Sequence, residues 1–275
     1  MPRPSTEASS PAPGDGYVRA LATGLAVLRA FTPDVPRLTL TEAADAAGVS
    51  RATARRSLLT LVELGYAVQD GRAFELTPKV LELGHGYWSG RSTSEVLRPV
   101  LTRASQRLHQ SCSAGVLHGA HLMYIARVHT ERILRVNLDV GTLLPAFSTS
   151  MGRVLLAGLD DAEVRRVLEG APRTPATAQT LTDVDALLEE VRRVRERGHA
   201  LVHGELDPNL SSVAVPVRDR DGRVVLAVNT ALSTRRGRLG EALSPAAAEA
   251  AAAEALPVLR EAADDAEAAL ELLGR

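Results

Sequence analysis

The chain has 275 residues, 45% of them apolar and 24% charged, enough for two ordinary domains with sizeable cores. Its formal net charge is −1 at pH 7, which excludes a globally basic nucleic-acid binder but allows a local basic module offset elsewhere, as by the Ala- and Glu-rich stretch Glu241 to Glu271. Cys112 is the single cysteine, so no internal disulfide framework forms and a reducing cytoplasm is the expected setting; the N-terminus shows no apolar signal region, and no apolar run is long enough to span a bilayer.

In chain order, residues 1–16 (MPRPSTEASSPAPGDG) carry almost nothing to bury and read as a disordered tail. Tyr17 to Phe31 reads as a helix with an apolar stripe of Val18, Leu21, Leu25 and Leu28, packing under the helices that follow and ended by Pro33 and Pro36. Arg19 near its start is a candidate phosphate contact.

Leu38 to Thr77 carries the densest local signal, that of a winged helix-turn-helix. Thr39 and Glu42 make a capping box that opens a short Ala-rich helix. Gly48 and Ser50 supply a tight turn and an N-cap, and a second helix runs from Arg51 to about Leu64, stopped by Gly65. Tyr66 to Val68 and Ala73 to Leu76 then read as strands joined through Asp70-Gly71, a strong hairpin signal. On the second helix, Ala54, Leu58, Leu61 and Val62 recur at inward-facing spacing. Arg51, Ala52, Thr53, Arg56 and Thr60 lie on the opposite side, and Arg55 and the wing residue Arg72 complete the candidate DNA contacts. A recognition helix needs such a face, because arginine pairs with guanine in the major groove and small residues meet the thymine methyl. A charged outer face alone would favour an ordinary solvated helix; the capped helix before it and the hairpin after it reverse that.

Residues 78–93 read as a linker helix opened by Pro78 at its first position. Ser94 to Gln110 is an amphipathic helix that tolerates Pro99 in its first turns. The period then changes: Ser113 to Leu117, Leu122 to Val128 and Ile133 to Val140 read as strands. Leu144 to Gly152 opens a helix through Gly158, and helices follow at Ala162 to Glu169 and Asp183 to Arg197, the latter capped by Thr182. Strands return at His199 to Glu205, Ser211 to Arg218 and Arg223 to Leu232, the last two forming a hairpin through Asp219 to Gly222. A long Ala-rich helix after Ser244-Pro245, kinked or restarted at Pro257, ends the chain. Segregated helices and antiparallel strands define an α+β domain.

With GLAVLRAF, SRATARRSLLTLVELGY, LTPKVLELG, LPAFSTSMGRVLLAGL and ELDPNLSSVAVPV in place, the chain from Tyr17 to Leu273 resembles the IclR family of bacterial transcriptional regulators, in particular the branch controlling catabolism of aromatic acids such as protocatechuate and 4-hydroxybenzoate. The resemblance implies a GAF-like effector domain over residues 94–273 with an antiparallel sheet, a winged helix-turn-helix over residues 17–77, homodimers or dimers of dimers, a double-stranded operator, and a small-molecule effector. It also implies a pocket formed by Ile133, Val136, Ser150, Met151, Leu210, Ser212, Asn229 and Ala231. Ser148 to Gly152, at a predicted helix N-terminus, suits an anion such as a carboxylate. Arg135 is a candidate counter-charge, at a position where that branch usually has an uncharged residue, and Asn209 stands where the family usually has glycine.

No catalytic constellation stands out, and no cofactor is implied. His118, His121, His129, His199 and His203 are scattered over turns and strands without ligand spacing, so no metal site is assigned. Glu205 with Asp207 reads as a capped loop, and Cys112 as a small buried residue without an activating base. The expected function is a ligand-responsive DNA-binding regulator. The rival is a metal- or thiol-dependent enzyme with an appended winged helix.

Overall fold

The computed structural model describes residues 16–32, 34–83, 93–129, 139–232 and 243–272. They form two compact units, dividing at Tyr87 and Trp88.

The smaller unit is built from α1 (Arg19–Arg29), β1 (Arg37–Thr39), α2 (Leu40–Ala47), α3 (Arg51–Glu63), β2 (Ala67–Asp70) and β3 (Ala73–Leu76). The predicted caps are present. Thr39 and Glu42 satisfy each other's backbone N–H, Gly48 closes α2 in the left-handed region at φ 64°, and the Ser50 hydroxyl accepts the Thr53 N–H. Each satisfies an amide or allows a reversal that the helix end would otherwise leave costly. Val27, Leu38, Ala43, Leu58 and Phe74 form the core. One strand escaped the sequence reading: β1, three residues long, pairs antiparallel with β3, making the wing three-stranded in the order β1-β3-β2. The apolar stripe of α1 also differs from expectation. Val18, Leu21 and Leu25 are half or more exposed, and Val27 is the residue buried, because α2 and α3 meet α1 on its Val27 side.

The larger unit holds a six-stranded antiparallel sheet of order β6-β5-β4-β9-β8-β7. Its strands are β4 (Cys112–His118), β5 (His121–Val128), β6 (Leu143–Pro145), β7 (Ala200–His203), β8 (Ser211–Arg218) and β9 (Val224–Leu232). On one face lie α4 (Thr93–Leu108) and the long C-terminal helix, α8 (Pro245–Glu271). On the other lies α5 (Ser150–Ala157), backed by α6 (Asp161–Glu169) and α7 (Val184–Arg197). Alternating strand residues therefore serve two cores: Cys112 and Ala114 face α4 and α8, while Leu122 and Tyr124 face α5.

Several expectations are corrected. Pro78 opens a 3-10 turn ending at Leu81, Glu82 and Leu83 after it are helical, and residues 84–92 of the predicted linker helix lie outside the described residues. The α7 cap is Asp183, whose carboxylate accepts the Ala186 N–H, and Thr182 precedes it. Pro145 ends a short strand, and α5 begins only at Ser150 after a 3-10 turn at Ala146–Ser148. α8 runs as one helix through Pro257 without a restart. The predicted strand Ile133 to Val140 falls largely outside the described residues, and Asp139 and Val140 are not in a strand.

Candidate functional site

The α5 side of the sheet holds a small hollow of about 40 Å³. Its floor follows from strand pairing. Arg127 on β5 is opposite Ser113 on β4, and Ser113 is opposite Asn229 on β9. In the neighbouring row Ala231, Ser212 and Val202 are paired across β9, β8 and β7. Directly paired residues share a face, so these two rows form one surface. Ser148 through Met151 cover it from the start of α5, and Leu206 and Leu210 close it from the β7–β8 connection. The Ser150 and Ser212 hydroxyls meet at 2.8 Å across the hollow.

Of the sequence-derived pocket residues, Ser148, Ser150, Met151, Leu210, Ser212, Asn229 and Ala231 come together here. Gly152 does not line the hollow. It is packed against the preceding turn, where a Cβ would lie 2.2 Å from the Ala146 carbonyl oxygen, and its N–H is taken by the Thr149 hydroxyl. The anion-binding helix terminus is thus partly occupied by its own cap. Ile133, Arg135 and Val136 lie outside the described residues.

Sequence reasoning missed Ser111, Ser113, Tyr124 and Arg127, which also line the hollow. Strict alternation from Tyr124 would send Arg127 to the opposite face. A bulge changes the parity. Ala114 pairs with Ala126 but Gly115 pairs with Tyr124, leaving Ile125 extra on β5. Ile125 and Ala126 both join the α4/α8 core, and Arg127 returns to the face of Tyr124. Gly115 makes this possible, since a Cβ there would meet Leu122 Cδ1 at 2.5 Å.

Arg127 is the only charged residue among the described residues lining the hollow. Its guanidinium lies 5.8 Å from the Tyr124 ring centroid, and its Nε–H donates to His129 Nδ1 at 3.4 Å. Burial holds the Arg127 guanidinium below its usual range, opposed by Tyr124 and Asp139. Burial likewise pushes the Tyr124 phenol up, opposed by Arg127.

Glu205 proves to be a structural partner. Its carboxylate meets Arg153 of α5 at 2.7 Å, with side-chain exposures of 10% and 4% respectively, and accepts the Leu181 N–H at 3.0 Å. Arg153 also donates to the Phe147 carbonyl at 2.9 Å. This pair anchors α5 from behind while Ser150 and Met151 face the hollow. Asp207 caps the Asn209 N–H in a separate turn. Burial pushes the Cys112 thiol up to about 11, against a weaker hydrogen bond from Thr230 that lowers it. Among the described residues no group of three His, Cys, Asp or Glu is arranged to hold a metal ion.

In the smaller unit, Arg51, Ala52, Arg55, Arg56 and Thr60 are exposed along α3, Thr53 is half-buried, and Arg72 is exposed in the wing turn. Among the described residues none of Arg19, Arg51, Arg55, Arg56 and Arg72 forms an ion pair, whereas Arg37 is held by Asp70 at 2.5 Å. Thr53 shares a 2.8 Å hydrogen bond with Ser50, and Thr60 donates to the Arg56 carbonyl at 2.8 Å, so both hydroxyls are engaged locally. Arg19, Thr53, Arg56 and Thr60 border an apolar hollow of about 710 Å³ with Leu21, Leu25 and Leu64.

A winged helix-turn-helix, joined in one chain to an α+β domain with a hydroxyl-lined pocket, defines a ligand-responsive transcriptional regulator. The chain belongs to the IclR family: the IclR helix-turn-helix domain matches residues 20–71, and the bacterial transcriptional regulator IclR C-terminal domain matches residues 85–260. It is 42% identical over 224 residues to the Pca regulon regulatory protein of Pseudomonas putida, covering 81% of this chain and 76% of that protein. It is 33% identical over 227 residues to the p-hydroxybenzoate hydroxylase transcriptional activator of Acinetobacter baylyi, covering 81% and 84%. Among solved structures, a regulator from Rhodococcus sp. RHA1 matches with TM-score 0.77 at 43% identity, covering 94% of this chain and all of that one. An IclR homolog from Microbacterium hydrocarbonoxydans, complexed with 4-hydroxybenzoate, matches with TM-score 0.75 at 25% identity, covering 92% and 99%. These relatives group the chain with regulators of aromatic-acid catabolism. The family and relatives are regulators and not enzymes, so the enzyme alternative is set aside.

Proposed function

We propose that this protein binds a pseudo-palindromic operator as a homodimer or dimer of dimers in the cytoplasm, and that a hydroxylated aromatic acid such as protocatechuate or 4-hydroxybenzoate controls that binding. In this reading residues 17–77 bind DNA, 78–93 link, and 94–273 bind the effector and associate. The observation that carries it is the hollow on the α5 side of the sheet, lined by Ser111, Ser113, Ser150, Ser212 and Asn229, with no carboxylate among its described lining residues. Such a lining offers hydrogen bonds to ring hydroxyls and no repulsion to an acid. The exposed arginines of α3 and the wing, free of ion pairs among the described residues, support the phosphate and base contacts of Arg51, Arg55, Arg56 and Arg72, with Ala52, Thr53, Thr60 and Arg19 as further candidates beside them. Between Tyr17 and Thr77 seven arginines meet six carboxylates, so one module binds weakly and two are needed.

The hollow also suggests how control works. At about 40 Å³ it is smaller than the roughly 150 Å³ cavity that admits benzene. An aromatic ligand enters only if the walls of the hollow move apart, so it favours one arrangement of the larger unit over another. The test pairs a gel shift with calorimetry. Arg51→Ala with Arg56→Ala should abolish specific operator binding, and a panel of aromatic acids should give saturable heat. Intact operator affinity in the variant would refute the recognition-helix assignment, and absence of heat would refute the effector class.

A further inference from the structure

We propose that Arg127 is the cation that binds the effector's carboxylate, delivered to the pocket by the Ile125 bulge in β5. This rests on the reading of the pocket as an aromatic-acid site and assigns its charge selectivity.

Arg127 is the only charged side chain among the described lining residues, and no carboxylate lies within ion-pair distance of its guanidinium among the described residues. Its described hydrogen-bond partner is His129 Nδ1, at a long 3.4 Å, with the other ring nitrogen 4.0 Å from Asp139. Elsewhere in this unit, the deeply buried arginine, Arg153, is matched by Glu205 at 2.7 Å. Among the described residues no carboxylate lies against this half-buried guanidinium, Asp139 acting on it only from a distance, and a bound carboxylate would supply a matched charge in bidentate geometry. The position suits the rest of such a ligand. Tyr124 offers a ring face beside the guanidinium, and β5 and β9 stand two strand spacings apart, about 10 Å. A carboxylate on Arg127 therefore directs the far edge of its ring toward Asn229 and the Ser150–Ser212 pair.

Calorimetry on the full chain with 4-hydroxybenzoate and its uncharged amide, 4-hydroxybenzamide, tests this. The unaltered protein should prefer the acid. Arg127→Gln should weaken the acid by about 30-fold or more, as expected for a desolvated charge pair losing one member, while the amide changes less than about threefold. Arg127→Lys should restore part of the loss, and melting curves of both variants should overlay that of the unaltered protein. Equal acid affinity in Arg127→Gln overturns the proposal. An equal loss of acid and amide overturns it too, because it marks Arg127 as a packing residue. A charge-selective loss in Arg135→Gln but not in Arg127→Gln assigns the role to Arg135 and overturns it. If the unaltered protein binds neither compound, the aromatic-acid reading itself falls, and this assignment with it.

Discussion

Glu205→Ala tests what holds the pocket's covering helix in place. The substitution leaves the Arg153 guanidinium, 4% exposed, without its anion, and leaves the Leu181 N–H without its acceptor. Breaking a buried pair by removing one partner costs roughly 3–5 kcal/mol, most of it the uncompensated charge. For a unit of this size that lowers its melting temperature by roughly 6–20 °C. Thermal melts followed by circular dichroism measure the effect, and the loss should fall on the larger unit. The decisive control removes both charges: Arg153→Met with Glu205→Leu should recover most of the stability, since a buried pair is often replaceable by apolar groups of similar volume. A Glu205→Ala melt within about 2 °C of the unaltered protein would refute the buried-pair account. A double variant as unstable as the single one would also count against it, by showing that shape and not charge compensation holds α5.

Gly115→Ala should destabilise by about 1–3 kcal/mol in urea titration, because its Cβ meets Leu122 Cδ1 at 2.5 Å and the Met123 carbonyl at 2.9 Å; a neutral result would mean that the bulge tolerates a side chain. Burial pushes the pKa of the Cys112 thiol up from 9.0 to about 11, so the fold holds it protonated to higher pH. The folded state therefore keeps a proton that the unfolded chain releases. This contribution, about 3 kcal/mol, is fully present below pH 9 and lost as pH rises to about 11. Urea midpoints compared with those of Cys112→Ala across pH 8 to 11 should show the extra slope only in the unaltered protein. Ser50→Ala removes the acceptor for the Thr53 N–H at the start of α3 and should cost the smaller unit about 1 kcal/mol, read as a lower urea midpoint.

The DNA-binding unit was legible because its signals are local. The Thr39–Glu42 box, the left-handed Gly48 and the Ser50 cap all act within four residues, so the local sequence carries both the donor and its acceptor. The hairpin at Asp219 to Gly222 was readable for the same reason: the Asp219 carboxylate accepts the Asp221 and Arg223 N–H groups. β1 was not legible, since its three residues become a strand only by pairing with β3 more than thirty residues later. The choice of Asp183 over Thr182 as the α7 cap was also not legible, since adjacent residues of capping type differ only in where the packed helix begins.

The pocket divides along the same line. Helix-start chemistry pointed to Ser148 to Gly152, and family likeness to Ser150, Met151, Ser212, Asn229 and Ala231, which the strand register then brings to one hollow. Which cation joined them was a tertiary decision. Whether Arg127 faces the pocket depends on the extra residue at Ile125, and that bulge exists only against Gly115 of the neighbouring strand. Likewise Glu205 looks like half of an acidic pair with Asp207 until the fold brings Arg153, fifty-two residues away, against it. Caps, turns and periodicity are short-range and were determined by the sequence alone. Strand register and charge pairing depend on which distant residues the chain brings together, and only the folded structure decides them.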